Sequence, residues 1–140
     1  MSQDDALRDL PHGPSFRFVD RIVSLDGGRE GRGVYQVRGD EAFLEGHFPG
    51  NPLMPGVILL EAIAQLAGVV AQSDPAHAPL PDLRLSAVRA AKIFGAAVPG
   101  DALEIHAAVE GRMGNLIQAS GTVRGPHGPL AEAKVVLSGG

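Results

Sequence analysis

The chain has 140 residues, a formal charge of -4 and no cysteine. That length suits a single domain over residues 1–140, with a core large enough to need no staple, and the missing cysteine excludes thiol catalysis, cysteine-ligated zinc and a disulfide framework. An acidic balance with one Tyr, five Phe and no Trp argues against nucleic acid as a partner, because that binding needs a basic patch or a stacking platform.

In chain order, "MSQDDALRDL" reads as a short helical start and lacks the basic and apolar regions of a signal peptide, so the cytoplasm is the expected compartment. "SFRFVDRIVSLD" (15–26) is rich in β-branched and aromatic residues and predicts a strand. The glycines of "GGREGRG" then turn the chain into a second strand, "VYQVRG", to make a hairpin. "DEAFLEG" (40–46) can form a helical turn or two before a Pro/Gly segment, "GHFPGNPLMPG" (46–56), stops it. A helix follows from Val57 to about Gln72, then a proline-rich loop, "SDPAHAPLPD".

The second half alternates with period two. Leu103, Ile105, Ala107 and Val109 share one face of "ALEIHAAVE", and Glu104, His106 and Glu110 the other. "LIQASGTVRG" and "PLAEAKVVLSG" are similar, and "RLSAVRAAKIFGAAVPGD" supplies a further strand closed by a Pro-Gly turn. The class is α+β, an antiparallel β-sheet wrapped around one long central helix. That helix is apolar on nearly every side, which belongs inside a core, and Glu61 interrupts it, so no membrane insertion is expected. Glu61, Gln65, Gly68 and Gln72 fall on one narrow stripe, the polar place the helix visits.

The chemistry concentrates at the helix start. Pro55 suits the first turn, and Gly56 leaves its N–H uncovered, as do the donors that follow, beginning with Val57. Free N–H groups at the positive end of a helix can hold a carbonyl oxygen that turns negative during reaction. The rigid Pro/Gly backbone then sets His47 beside that oxygen. His47 can take a proton near neutral pH, and Glu61, with no cation in its helix, has a pKa raised by desolvation. A base and an acid around an oxyanion site suit removal of a proton beside a carbonyl with departure of a hydroxyl. The bland alternative is a turn histidine, a glutamate on a solvent stripe and a structural loop. No pair of histidines has metal-ligand spacing, so no metal site is expected; His12 reads as a turn histidine before Gly13, with support of the active-site loop as the alternative.

"GHFPGNPLMPGVILLEAIAQLAG" resembles the signature of the 3-hydroxyacyl-acyl-carrier-protein dehydratases, G-H-F-P-x-x-P-x-x-P-G-V-x-x-x-E-x-x-A-Q. "LPHGPSFRFVDRI" is similar to the family's N-terminal segment and "VPGD" to its Pro-Gly-Asp turn. The resemblance implies a hotdog fold and a homodimer whose sheets pair edge to edge, also assembled as a trimer of dimers, with active sites shared between subunits. It implies His47 as the base that takes the α proton of a 3-hydroxyacyl chain carried on acyl carrier protein. Glu61 is then the acid for the β hydroxyl, or orients the site through water, and Gly56 is the backbone donor to the thioester carbonyl. Gln65, Pro55 and Val57 support the site, no cofactor is implied, and the acyl chain lies in an apolar tunnel beside the helix. The pathway implied is fatty-acid biosynthesis or a related acyl route.

Three departures from the pattern stand out: Gly13 after "LPH", where the family usually has a basic residue; Arg17, where it commonly has an apolar residue; and "IFGAA" before "VPGD", where it commonly has a basic residue followed by Pro. They keep two alternatives open, a hotdog acyl thioesterase and a noncatalytic carrier-binding subunit of a specialised polyketide or polyene pathway.

Overall fold

A helix that is apolar all round needs a surface that covers it from several directions. In the computed structural model, which describes residues 6–7, 10, 12–13, 16–48 and 50–140, one sheet supplies that cover. The strands are β1 (Arg21–Asp26), β2 (Glu30–Gln36), β3 (Arg84–Ile93), β4 (Ala102–Met113), β5 (Leu116–Gly125) and β6 (Gly128–Ser138), and the helix is α1 (Gly56–Gln72). A 3-10 turn occupies Ala42–Leu44. The strands form one sheet in the order β1-β2-β4-β5-β6-β3, every neighbouring pair antiparallel. α1 packs on β2 through β6, and its residues Leu59 and Ala62 to Ala71 are buried.

The expected alternation holds in β4, where Leu103, Ile105 and Ala107 are buried while Glu104 faces solvent. Ile117, Ala119 and Val123 of β5 and Ala131, Ala133, Val135 and Leu137 of β6 continue the inner face. Each large side chain buried this way contributes about 1.5–3 kcal/mol.

The first half differs from expectation at two places. The strand expected over 15–26 begins only at Arg21. Ser15 lies outside the described residues, and Phe16 to Asp20 instead run as an irregular strap across α1, held by Gln65, whose Nε2 donates to Phe16 O (2.8 Å) and whose Oε1 accepts from Phe18 N (2.8 Å). The short helical start lies largely outside the described residues.

The glycines read as turn residues also divide. Gly28 (φ +85) makes the turn, but Gly31 and Gly33 lie within β2 under the helix. A Cβ at Gly31 would stand 2.9 Å from Val70 Cγ2, and one at Gly33 2.7 Å from Val19 Cγ1. Gly121 of β5 has the same role against Ile63. These glycines let sheet, strap and helix approach closely.

β3 ends the sheet. Its inner edge pairs with β6, and its exposed side chains include Leu85, Val88 and Ile93.

A Cβ at Gly121 would meet Ile63 Cγ2 at 2.5 Å and the backbone oxygen of His106 at 2.6 Å. Since a main-chain atom cannot swing aside, Gly121→Ala is expected to lower unfolding stability by about 1–3 kcal/mol, measured by urea denaturation.

Candidate active site

The loop that carries His47 is tied down before it arrives. Glu41, ahead of the 3-10 turn, accepts hydrogen bonds from Tyr35 Oη (2.6 Å) and the N–H groups of Arg38 (3.0 Å) and Gly39 (2.7 Å). Burial alone would raise the pKa of Glu41, but these donors hold it below the ordinary glutamate value.

Leu53 then clamps His47 twice. Its N–H donates to His47 O at 2.7 Å, and its carbonyl oxygen lies 3.0 Å from His47 Nδ1. A carbonyl can only accept, so Nδ1 is the donor and Nε2 is the nitrogen left to exchange a proton. Nε2 has no hydrogen-bond partner among the described residues. The Phe48 ring stacks on the imidazole at 4.2 Å between centroids, and a tight turn between Phe48 and Asn51 closes the loop. Met54 N donates to Ala97 O (2.8 Å), which fixes the entry to α1.

α1 begins one residue earlier than expected, at Gly56, and Pro55 occupies the N-cap position rather than the first turn. No side chain caps this end, and no acid lies in the first turn. Ile58 N bonds back to Pro55 O, while the N–H groups of Gly56 and Val57 have no acceptor among the described residues. The Ile93 side chain sits against Gly56 where a Cβ would project. The Val57 side chain is 68% exposed.

Glu61 faces His12. Its Oε1 lies 3.6 Å from His12 Nε2, and both side chains are largely covered. Glu61 Oε2 and His12 Nδ1 are buried with no partner. Burial raises the Glu61 pKa; burial, then the charge of Arg17, lowers that of His12. Both shifts favour the neutral forms, so the contact is a polar juxtaposition rather than a strong ion pair. Glu41 and Glu61 thus diverge because one carboxylate has donors and the other does not.

Within one chain the structure sets Gly56 and Glu61 on one helix and His47 on the loop before it, and His47 forms neither a hydrogen bond nor an ion pair with Glu61. Gln65 holds the strap through Phe16 O and Phe18 N. His12 contradicts its reading as an ordinary turn histidine, since it stands against Glu61, and Arg17 braces it by donating from Nε to His12 O at 3.0 Å. The signal available in the sequence was the "LPH" run alone. Among the described residues no three His, Asp or Glu side chains converge as metal ligands.

A family model described as a FabA-like domain matches residues 10–126. The 3-hydroxyacyl-acyl-carrier-protein dehydratase FabZ of Acidiphilium cryptum (strain JF-5) is 39% identical over 129 residues, 91% of this chain and 78% of that protein. Among solved structures, the dehydratase heterocomplex ApeI:P from Xenorhabdus doucetiae superposes with a TM-score of 0.80 at 17% identity, covering 100% of this chain and 92% of that one. A hypothetical thioesterase protein with coenzyme A from Streptococcus pneumoniae TIGR4 reaches 0.70 at 14% identity, covering 99% and 97%. These two likenesses establish the hotdog fold alone, and a fold common to a dehydratase and a thioesterase does not choose between them.

A carboxyl whose pKa is higher folded than unfolded favours folding below the ordinary glutamate pKa, and that contribution is lost as pH rises through the folded value. Glu61→Gln, uncharged throughout, is therefore expected to gain stability over the parent as pH is raised from about 4 to about 8. Urea melts across that range check it, and a constant gap would contradict a desolvated carboxyl.

Proposed function

The chain belongs to the FabZ 3-hydroxyacyl-acyl-carrier-protein dehydratases, and from that premise we propose that His47 and Glu61 of two copies of the chain carry out the elimination together. The reaction is dehydration of a 3-hydroxyacyl thioester on acyl carrier protein to a trans-2-enoyl thioester and water, in fatty-acid biosynthesis.

The thioester carbonyl oxygen accepts from the N–H of Gly56, where the uncapped helix end stabilises the negative charge that builds on it. His47 Nε2 takes the α proton, and the electrons of that C–H bond become the new C=C bond. The β C–O bond breaks as Glu61 gives its proton to the departing hydroxyl, which leaves as water. Solvent then carries the proton from His47 back to Glu61. The observation that carries this assignment is the bond between His47 Nδ1 and Leu53 O, because it fixes one ring nitrogen as donor and leaves Nε2 as the nitrogen that can take a proton. The raised pKa of Glu61 supports the role of acid over that of a charged orienting group. Pro55 and Val57 serve by shaping the helix start, and Gln65 by holding the strap of Phe16 to Asp20.

The homodimer rests on two features. His47 and Glu61 do not engage each other within one chain, and the outer edge of β3 has no strand beside it among the described residues. An edge with exposed Leu85, Val88 and Ile93 suits pairing with a second copy, and three such dimers make the larger assembly. The proposed setting is the cytoplasm; no helix among the described residues is long and apolar enough to cross a membrane.

With 3-hydroxyacyl-acyl carrier protein, the enzyme is expected to form enoyl thioester, and His47→Ala to reduce kcat by about a hundredfold to ten-thousandfold without unfolding. Free thiol released without enoyl product would mark a thioesterase instead. Mixing His47→Ala with Glu61→Gln under confirmed subunit exchange is expected to restore part of the activity, through dimers that hold one intact site. Absence of rescue would reject the shared site.

A further inference from the structure

His12 is held in place by its neighbours in the chain. Arg17 Nε donates to its carbonyl oxygen (3.0 Å), the Phe16 ring stacks on its imidazole at 5.9 Å between centroids, and Phe16 N donates to Gly13 O (2.9 Å) to close a turn between them. That turn is registered on α1, because Gln65 Nε2 donates to Phe16 O at 2.8 Å. Gln65 lies four residues after Glu61, one helical turn along the same face. The helix that carries the acid therefore also fixes the place of the histidine set against it.

In the resting arrangement this contact gives Glu61 no hydrogen bond. The 3.6 Å between His12 Nε2 and Glu61 Oε1 lies just beyond hydrogen-bond reach, and Glu61 Oε2 and His12 Nδ1 are buried without partners. Arg84 of β3 also lines the small cleft beside Glu61 but forms no ion pair with it among the described residues. The rest of the cleft is apolar side chains, a glycine, and two glutamines whose amides are engaged with the strap and with Leu80. A neutral carboxyl tolerates such a site. During the proposed elimination, however, Glu61 yields its proton to the departing hydroxyl, and a carboxylate is left where water has been excluded. A donor that engages the ionised form and not the resting form lowers the barrier without stabilising the ground state.

Resting on the dehydratase reading above, we propose that His12 is a positioning residue for Glu61, whose Nε2–H closes on Oε1 as the carboxyl ionises and stabilises the carboxylate formed in the elimination. The O–H bond of Glu61 breaks, its electron pair stays on the carboxylate, and its proton leaves with the hydroxyl as water. His12 gains and loses no proton; it contributes a donor. From 3.6 Å, a shift of under about 1 Å reaches the range of a charge-assisted hydrogen bond. Burial and the charge of Arg17 keep His12 neutral at rest. An imidazolium in the same place would draw the proton off Glu61 before substrate arrived.

The test compares the parent with His12→Phe, which keeps a ring against Phe16 but has no donor, and with His12→Gln, which keeps an N–H donor and does not titrate. Enoyl formation from a 3-hydroxyacyl-acyl carrier protein gives kcat, KM and the pH profile of kcat, and the melting temperature is followed beside them. His12→Phe is expected to lower kcat about tenfold to a hundredfold, the worth of a hydrogen bond to a charged group, with KM within about twofold of the parent. The alkaline limb of its profile, set by Glu61, is expected to move to higher pH, because a carboxyl without its donor keeps its proton longer. The acid limb, set by His47, stays in place. His12→Gln is expected to recover most of the lost rate. Should His12→Phe not fold, His12→Leu takes its place with the same expectations. The parent's kcat and alkaline limb in the variant without a donor, or a His12→Gln enzyme as slow as that variant, would overturn the role of His12 while leaving the dehydratase reading in place. No enoyl product from the folded parent would overturn both.

Discussion

The structure depends on the burial of α1. A helix with Leu59, Ile63, Leu66, Val69 and Val70 at or near zero exposure has to be covered from several directions, and a single twisted antiparallel sheet does so only if its strands come close. Gly31, Gly33 and Gly121 permit that approach. The strap of Phe16 to Asp20 covers part of what the sheet does not reach, held by Gln65 from the helix itself.

The chemistry follows from the same burial. Once sheet and strap enclose α1, its single acid loses water without gaining donors, and the neutral carboxyl becomes the favoured form. Glu41 shows the other outcome on the same chain, where three donors compensate for lost water and stabilise the carboxylate. A structural glutamate and a proton donor are separated by their hydrogen-bond partners rather than by residue type. At the base, Leu53 O performs the corresponding task by fixing which nitrogen of His47 carries the proton. The uncapped start of α1 adds two N–H groups with no acceptor among the described residues. The base, acid and oxyanion donors of the proposed elimination are thus each set up by main-chain geometry and burial.

Much of this was legible in the sequence where the signal is local. Period-two alternation marks β4, β5 and β6, the apolar run ending at Gln72 marks α1, and the stripe of Glu61, Gln65, Gly68 and Gln72 does face one cleft. Features set by contacts distant in sequence were not legible. Gly31 and Gly33 look like turn residues until the helix is seen above them. Phe16 and Phe18 have strand-like composition, yet their backbone groups are taken by Gln65, 49 and 47 positions away. His12 is set against Glu61 by the fold, and only the "LPH" run around it hints at that. The one-residue offset at Pro55 has a local cause: without a side-chain cap, the boundary is set by the ψ of 137° at Pro55, which composition does not specify.

The decisive quantity is the protonation of Glu61. Carbon-13 NMR of the labelled glutamate carboxyls, with Glu61→Gln to assign the signal, reads it directly in the folded enzyme. The expected result is a Glu61 resonance that titrates above the ordinary glutamate value while that of Glu41 titrates below it. A Glu61 carboxyl already ionised at the pH where free glutamate titrates would contradict its role as the acid of the elimination.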